Sequence, residues 1–210
     1  MAAMSMNKVI HGAVRRDLQR FLDALAAFRD GDHARAAQLG TAWDNFDAQL
    51  TEHHEGEHEI AWPAMASIGV SQDLLATFDE EHDRMAQALA ATRSAMATFR
   101  GTATAADAAA ARAAMTELRT VAVAHLDHEE QETEAVYLAH ADGPEMKAMG
   151  KQFAKVSPAK GGRFFAWVSD GASPEEMAAL TASVPKPVLA IIGGLFGRGY
   201  RRDVASVWRS

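Results

Sequence analysis

The sequence predicts an all-α protein: an up-down-up-down four-helix bundle followed by a C-terminal extension of short helices. Three observations carry this. Alanine dominates the 210 residues and aromatics make up only 7%, a balance that favours helix over strand. Four long stretches place apolar residues three and four apart, the spacing of one helical face. Short breaks marked by Gly, Asp or Ser join them, and short connections make neighbouring helices antiparallel. The 48% hydrophobic fraction is ample for a core.

The first helix is expected over residues 4–28, with Val14, Leu18, Phe21, Leu22, Leu25 and Phe28 on its apolar face and His11 near its start on the same side. Gly31 should end that element and Asp32 should cap the next. The second helix is expected over residues 33–62. Its face runs through Trp43, Phe46 and Leu50 and then, without a change of step, through His53 and Glu57. Pro63 should kink or end it. The third is expected over 71–99, with Leu75, Phe78, His82, Met85, Leu89 and Met96 inward, Ser71 as N-cap and Gly101 closing it. The fourth is expected over 103–141, with Met115, Leu118, Ala122, His125, Glu129, either Glu132 or Thr133, and Val136 inward. The bundle is thus assigned to residues 1–143. Residues 144–210 change character, with short segments broken by Gly and Pro and a cluster of large apolar residues. They read as a helical extension packing on the bundle or on a partner.

A formal charge of −7 argues against a nucleic-acid partner. The absence of cysteine removes disulfides, thiolate metal sites and thiol nucleophiles, and suits a cytoplasmic location. The N-terminus lacks an apolar core followed by a cleavage site. The longest apolar run, residues 188–196, is about half the ~20 residues that span a bilayer, so no membrane is expected. A monomer or a homodimer is expected.

The chemistry concentrates in Glu52-His53-His54-Glu55-Gly56-Glu57-His58-Glu59. Residues four apart share a helix face, so His53 and Glu57 point the same way. His125 and Glu129 repeat the pattern on the fourth helix. Each helix therefore brings at least one inward histidine (His11, His53, His82, His125), and two add an inward glutamate (Glu57, Glu129). A buried carboxylate without a partner costs several kcal/mol, and a shared cation relieves all six groups together. Imidazole and carboxylate without thiolate suit Fe, Mn or Zn. A single zinc ion, usually four-coordinate, does not need six ligands. Two iron ions sharing the glutamates fit the count best.

These residues resemble the hemerythrin-like (HHE cation-binding) family. The likeness lies in His11-x-x-x-Arg15-Arg16, His53-His54-Glu55-Gly56-Glu57 ahead of Trp62-Pro63, Glu81-His82, and His125 to Glu130. It covers about residues 8–140. The resemblance implies a non-haem, oxo- or hydroxo-bridged di-iron centre that meets oxygen, peroxide or nitric oxide. It also implies ligand roles for His11, His53, Glu57, His82, His125 and Glu129. The chain departs from the oxygen-carrying hemerythrins at two points. Phe78 stands where they place a second third-helix histidine. They use an Asp five residues after the fourth-helix histidine, the position of Glu130. One missing histidine implies a more open iron or an extra ligand, for which Glu55, His58, Glu132 and Tyr137 are the candidates by spacing.

His54, His58 and His128 are expected either to orient ligands or to be exposed, and His33 and His140 to be surface residues. A ferritin-like di-iron pattern needs a glutamate on every helix, and the first helix has none. Two functions are therefore expected: binding or turnover of a small oxidant with catalase- or peroxidase-like activity, or sensing of iron, oxygen or nitric oxide through the C-terminal segment.

Overall fold

A computed structural model describes residues 4–209 of the chain, and among them every regular element is a helix. The first is α1, Met6–Ala26, whose free N–H at Lys8 is accepted by the Ser5 side chain. Next comes α2, His33–Gly56, capped by the carboxylate of Asp32. A π-helical turn, Glu57–Ala61, leads into α3, Trp62–Ser67. The two longest helices follow, α4 at Gln72–Thr102 and α5 at Ala105–His140.

Residue pairings show how α1, α2, α4 and α5 lie together. His82 of α4 meets His125 of α5, and Thr92 donates to the carbonyl of Ala114. His11 of α1 meets Glu130 of α5, and Arg112 donates to the carbonyl of Leu22. Asp47 of α2 accepts from Arg93 of α4, while His58 in the π turn faces Asp79. Phe21 of α1 packs on Phe46 of α2, and His11 on His53. In every pair one number rises as the other falls, so all four contacts are antiparallel.

Both connections at one end of these helices are pinned to each other. Gly31, at φ 78°, donates its N–H to the carbonyl of Ala103 over 2.8 Å, and the N–H of Ala105 donates to Asp30. Gly101 does not close α4 as expected. The helix runs on to Thr102, and Ala103 takes the left-handed conformation at φ 52°. An alanine holds a position that favours glycine because its methyl is fully buried and its carbonyl anchors Gly31. Measured from this closed end, His53 lies 20 residues into α2, His125 20 residues into α5, and His82 20 residues before the end of α4. At 1.5 Å per residue each is about 30 Å along its helix. Equal lengths of helix bring these three histidines to one level.

Pro63 does not end the second helix either, because the helical path continues through it to Ser67. Trp62 donates its N–H to the carbonyl of Glu57, five residues back, which inserts one extra residue into the turn. Pro63 then falls in the first turn of α3, where a missing N–H costs nothing. Glu57 is the first residue of this π turn.

Residues after Pro144 form α6 (Pro144–Phe153), α7 (Pro158–Ser169), α8 (Pro174–Ser183) and α9 (Lys186–Val188). A π-helical segment, Leu189–Phe196, then leads to α10 (Arg198–Asp203) and a 3₁₀ turn (Ala205–Arg209). Their buried side chains share one core with the long helices. Trp167 is fully buried and donates its indole N–H to Asp17 of α1 over 2.8 Å, while Tyr200, Val204 and Val207 pack into the same cluster. At Gly56 the ring of Phe153 approaches so closely that a Cβ there would sit 2.7 Å from it. That glycine lets α6 rest on the helix one residue before Glu57. A smaller apolar cluster, with Trp62, Met65, Leu75, Phe78 and Tyr137, lies beyond the histidine level. The ionisable layer is thus held between two apolar ones.

Candidate metal centre

The layer contains His11, His53, Glu57, His82, His125 and Glu129, all six of the residues expected there. His11, Glu57 and Glu129 are essentially fully buried, the His53 and His125 side chains are nearly so, and that of His82 is 11% exposed. Glu57 is central. One carboxylate oxygen lies 3.1 Å from His53 Nε2 and 3.9 Å from His11 Nε2, and the other lies 3.4 Å from His82 Nε2. Glu129 Oε2 lies 3.3 Å from His11 Nε2 and 3.8 Å from His125 Nε2. The donors fall into two groups whose atoms all lie within 4.8 Å of one another: His11, His53 and Glu57, and His54, Glu57, His82 and His125. Glu57 belongs to both.

His54 is the residue whose inward place the sequence did not reveal. Its ring stacks on that of His82, with centroids 4.3 Å apart, and its Nε2 is buried without a hydrogen-bond partner. On α2 it lies about 100° round from His53, so a single stripe cannot contain both. Two faces of α2 serve the site because α1 packs against one and α4 against the other. The available signal was the His53-His54 doublet together with Phe78, which leaves α4 one histidine short.

Glu129 and Glu130 separate into different roles. Glu129 points inward, and its other oxygen accepts from the Asn7 amide over 2.8 Å. Glu130 faces outward, taking His11 Nδ1 at 3.1 Å and Arg15 at 2.6 Å. Glu81 does the same for the opposite side, meeting His125 Nδ1 and His128 Nδ1 at 2.9 Å each. A carboxylate on Nδ1 fixes the tautomer and turns the Nε2 lone pair toward the centre.

The remaining candidates lie elsewhere. Glu55 and Glu132 are exposed, and His58 is 67% exposed and faces Asp79. An extra-ligand role for these three has no supporting geometry, because helical spacing alone could not show which edge of the face stays in solvent. Tyr137 is buried in the apolar layer next to the site, where burial and the charges of Glu129 and Glu57 push its phenol pKa upward. His33 and His140 are exposed.

The electrostatics follow from crowding these groups out of water. Burial lowers His53 to about 3 against the opposing charge of Glu57, and burial with His82 lowers His125 to about 4. His54 is pushed down by burial and by His82 and His53. These imidazoles are neutral at neutral pH, the form that binds a metal. Burial opposes ionisation of Glu57, yet His53, His11 and His82 hold it well below the usual range. Burial and Glu57 raise Glu129 to about 7. Burial lowers His11, but its bonds to Glu129, Glu130 and Glu57 outweigh that and raise it. Without a cation, the surrounding carboxylates thus favour a proton on His11, whose Nε2 lies 3.3 Å from Glu129.

Six donor atoms of the layer are buried with no aligned hydrogen-bond partner: Nε2 of His11, His53 and His54, both oxygens of Glu57, and Oε2 of Glu129. His82 Nε2 and His125 Nε2 face each other at 3.0 Å, where one proton at most can lie between them. Native interiors leave few such groups unsatisfied, and a cation is the species this donor set fits.

The family comparison agrees. Residues 6–136 match the hemerythrin HHE cation-binding domain, and the chain belongs to that family. The family is one of domains that bind metal cations, typically iron. No curated protein and no solved structure gives a significant match to the chain.

Proposed function

We propose that the four antiparallel helices form an up-down-up-down bundle whose buried layer holds two iron ions, bridged by oxo or hydroxo as well as by protein, and that the centre binds or turns over a small oxidant. His11 and His53 would hold one ion, and His82 and His125 the other. Glu57 and Glu129 would be shared between them. His54 would supply the second ion with the donor that Phe78 cannot. The observation that carries this reading is the set of buried, unpartnered donor atoms, together with two clusters of ligand atoms that have Glu57 in common.

Bound iron would supply one-electron chemistry and a coordination position for oxygen, peroxide or nitric oxide. The protein's own part is positional and protonic. Glu130 and Glu81 orient His11 and His125 through Nδ1. Phe78, Trp62 and Tyr137 keep bulk water from one side of the layer. The proton favoured on His11 would have to leave when a cation enters, so loading releases protons and weakens as pH falls.

A sensing role has one observation in its favour. Phe153 of α6 rests on Gly56, next to Glu57, so a change at the layer has a direct mechanical route to the C-terminal helices. Metal content per chain and the optical spectrum after purification in air test the main reading. Two irons with near-ultraviolet bands of a bridged ferric pair are expected. Absence of metal after iron-supplemented expression and reconstitution would overturn it. Peroxide turnover separates the two roles, because negligible turnover with an iron-dependent change in partner binding favours sensing.

A further inference from the structure

The charge of this chain is segregated. Residues 144–210 carry ten Lys and Arg against five Asp and Glu, a net +5, whereas residues 1–143 carry eleven against 23, a net −12. Five of the six lysines lie in the C-terminal part. No acidic residue occurs between Glu145 and Asp170, or between Glu176 and Asp203.

Exposed apolar surface follows the same division. The exposed large hydrophobics among the described residues are Phe153, Val156, Val188, Ile191, Leu195 and Phe196, all in this part. Val188, Ile191 and Leu195 of the 188–196 stretch are 40%, 56% and 53% exposed. A Cβ at Gly161 would touch both Val156 and Ile192, at 3.5 and 3.6 Å, so Val156 lies beside the 188–196 stretch. Exposed cations flank this stretch along the chain. Exposed Lys155 adjoins Val156, and exposed Lys186 and Arg198 stand at the two ends of the 188–196 stretch. Arg201 folds back onto the carbonyl of Gly194. Among the described residues no ion pair neutralises Lys155, Lys186 or Arg198.

We propose that this face docks on the surface of an anionic phospholipid bilayer. An exposed apolar stretch flanked along the chain by Lys and Arg, in a part of the chain with net charge +5, matches such a surface in both hydropathy and charge. Surface attachment is also what the geometry permits. Among the described residues no single helix is long and apolar enough to cross a membrane, and the one apolar helix pair, Pro174–Ser183 with Lys186–Phe196, is bent by 106°. A second copy would meet this face with the same positive charge. The expectation of no membrane rested on the lack of a spanning segment and does not bear on a peripheral face. The metal site is not involved, so the two proposals fail separately.

The test is co-sedimentation of the full chain with vesicles of phosphatidylcholine alone and of phosphatidylcholine mixed with phosphatidylglycerol, at low and high salt. Binding is expected to the mixed vesicles only, and to fall as salt screens the cations. Each cation near an anionic surface is worth about fivefold in partitioning, so Lys186→Glu with Arg198→Glu should weaken binding at least ~25-fold. Ile191→Ser with Leu195→Ser, at exposed positions that leave the core intact, should weaken it at least ~10-fold, on the scale of lost apolar burial. Failure to bind either vesicle, or equal binding to both, would overturn the proposal. So would a dimer in analytical ultracentrifugation that the Ile191→Ser, Leu195→Ser variant dissociates, with no vesicle binding.

Discussion

Glu57→Gln is the most informative single change at the layer. The replacement keeps the shape and removes the charge that lies within 4 Å of His53, His11 and His82. Because Glu57 belongs to both donor groups, both proposed ions lose an anionic ligand at once. Removing one partner of a buried charge pair costs about 3–5 kcal/mol. At 1.4 kcal/mol per tenfold, that is roughly a 10²- to 10⁴-fold loss of affinity. The metal-free protein should lose less, about 1–3 kcal/mol, because His53 and His54 are already neutral and only His11, which Glu57 helps to keep protonated, loses a charged partner. For a chain of this length 1 kcal/mol shifts the melting temperature by about 2–4 °C. The assay is metal content after dialysis against chelators of increasing strength, with thermal melts of the loaded and stripped protein. Glu59→Gln, at an exposed position, is the control. Wild-type metal retention by Glu57→Gln would refute the shared-ligand role. An equal loss of stability with and without metal would show that Glu57 is structural only.

Three further outcomes are expected. His125→Ala should lose metal and destabilise the protein, whereas His33→Ala should do neither, and equal metal content in the two would sink the ligand assignment. Trp167→Ala should cost about 3–5 kcal/mol for the lost ring, plus about 1–3 kcal/mol for the bond taken from buried Asp17. A melting temperature within a few degrees of wild type would mean that α7 is not part of the core. Asp17 offers a pH test away from the metal layer. Burial raises its folded-state pKa above the ordinary 3.8, against the bond from Trp167 and the charge of Arg20. A raised carboxyl contributes stability below pH 3.8 that is lost as pH rises through the folded value. Asp17→Asn lacks that loss, so its stability relative to wild type should improve as pH rises from about 3.8 toward neutrality. Denaturant melts that give a constant difference across that range would exclude the raised pKa.

Much of the molecule was legible in the residues alone. Apolar steps of three and four placed the four long helices, since one buried stripe per helix is enough to bury a side in water. The same steps carried His53, Glu57, His125 and Glu129 inward, because groups on a buried stripe have no other direction. What the stripe could not contain was decided by packing. Helix α2 has neighbours on two faces, so His54 reaches the layer from outside the stripe that holds His53. Glu129 and Glu130 were nearly equivalent by spacing. They were separated by Arg15 and His11 of α1, which gave Glu130 an outward partner. The π turn lets the helix pass Pro63, and the buried anchor at Ala103 replaced the stop expected at Gly101. Both depend on contacts from other elements, which local propensity does not encode. The common level of His53, His82 and His125 came from matched helix lengths measured from the end where Gly31 and Ala103 are tied together.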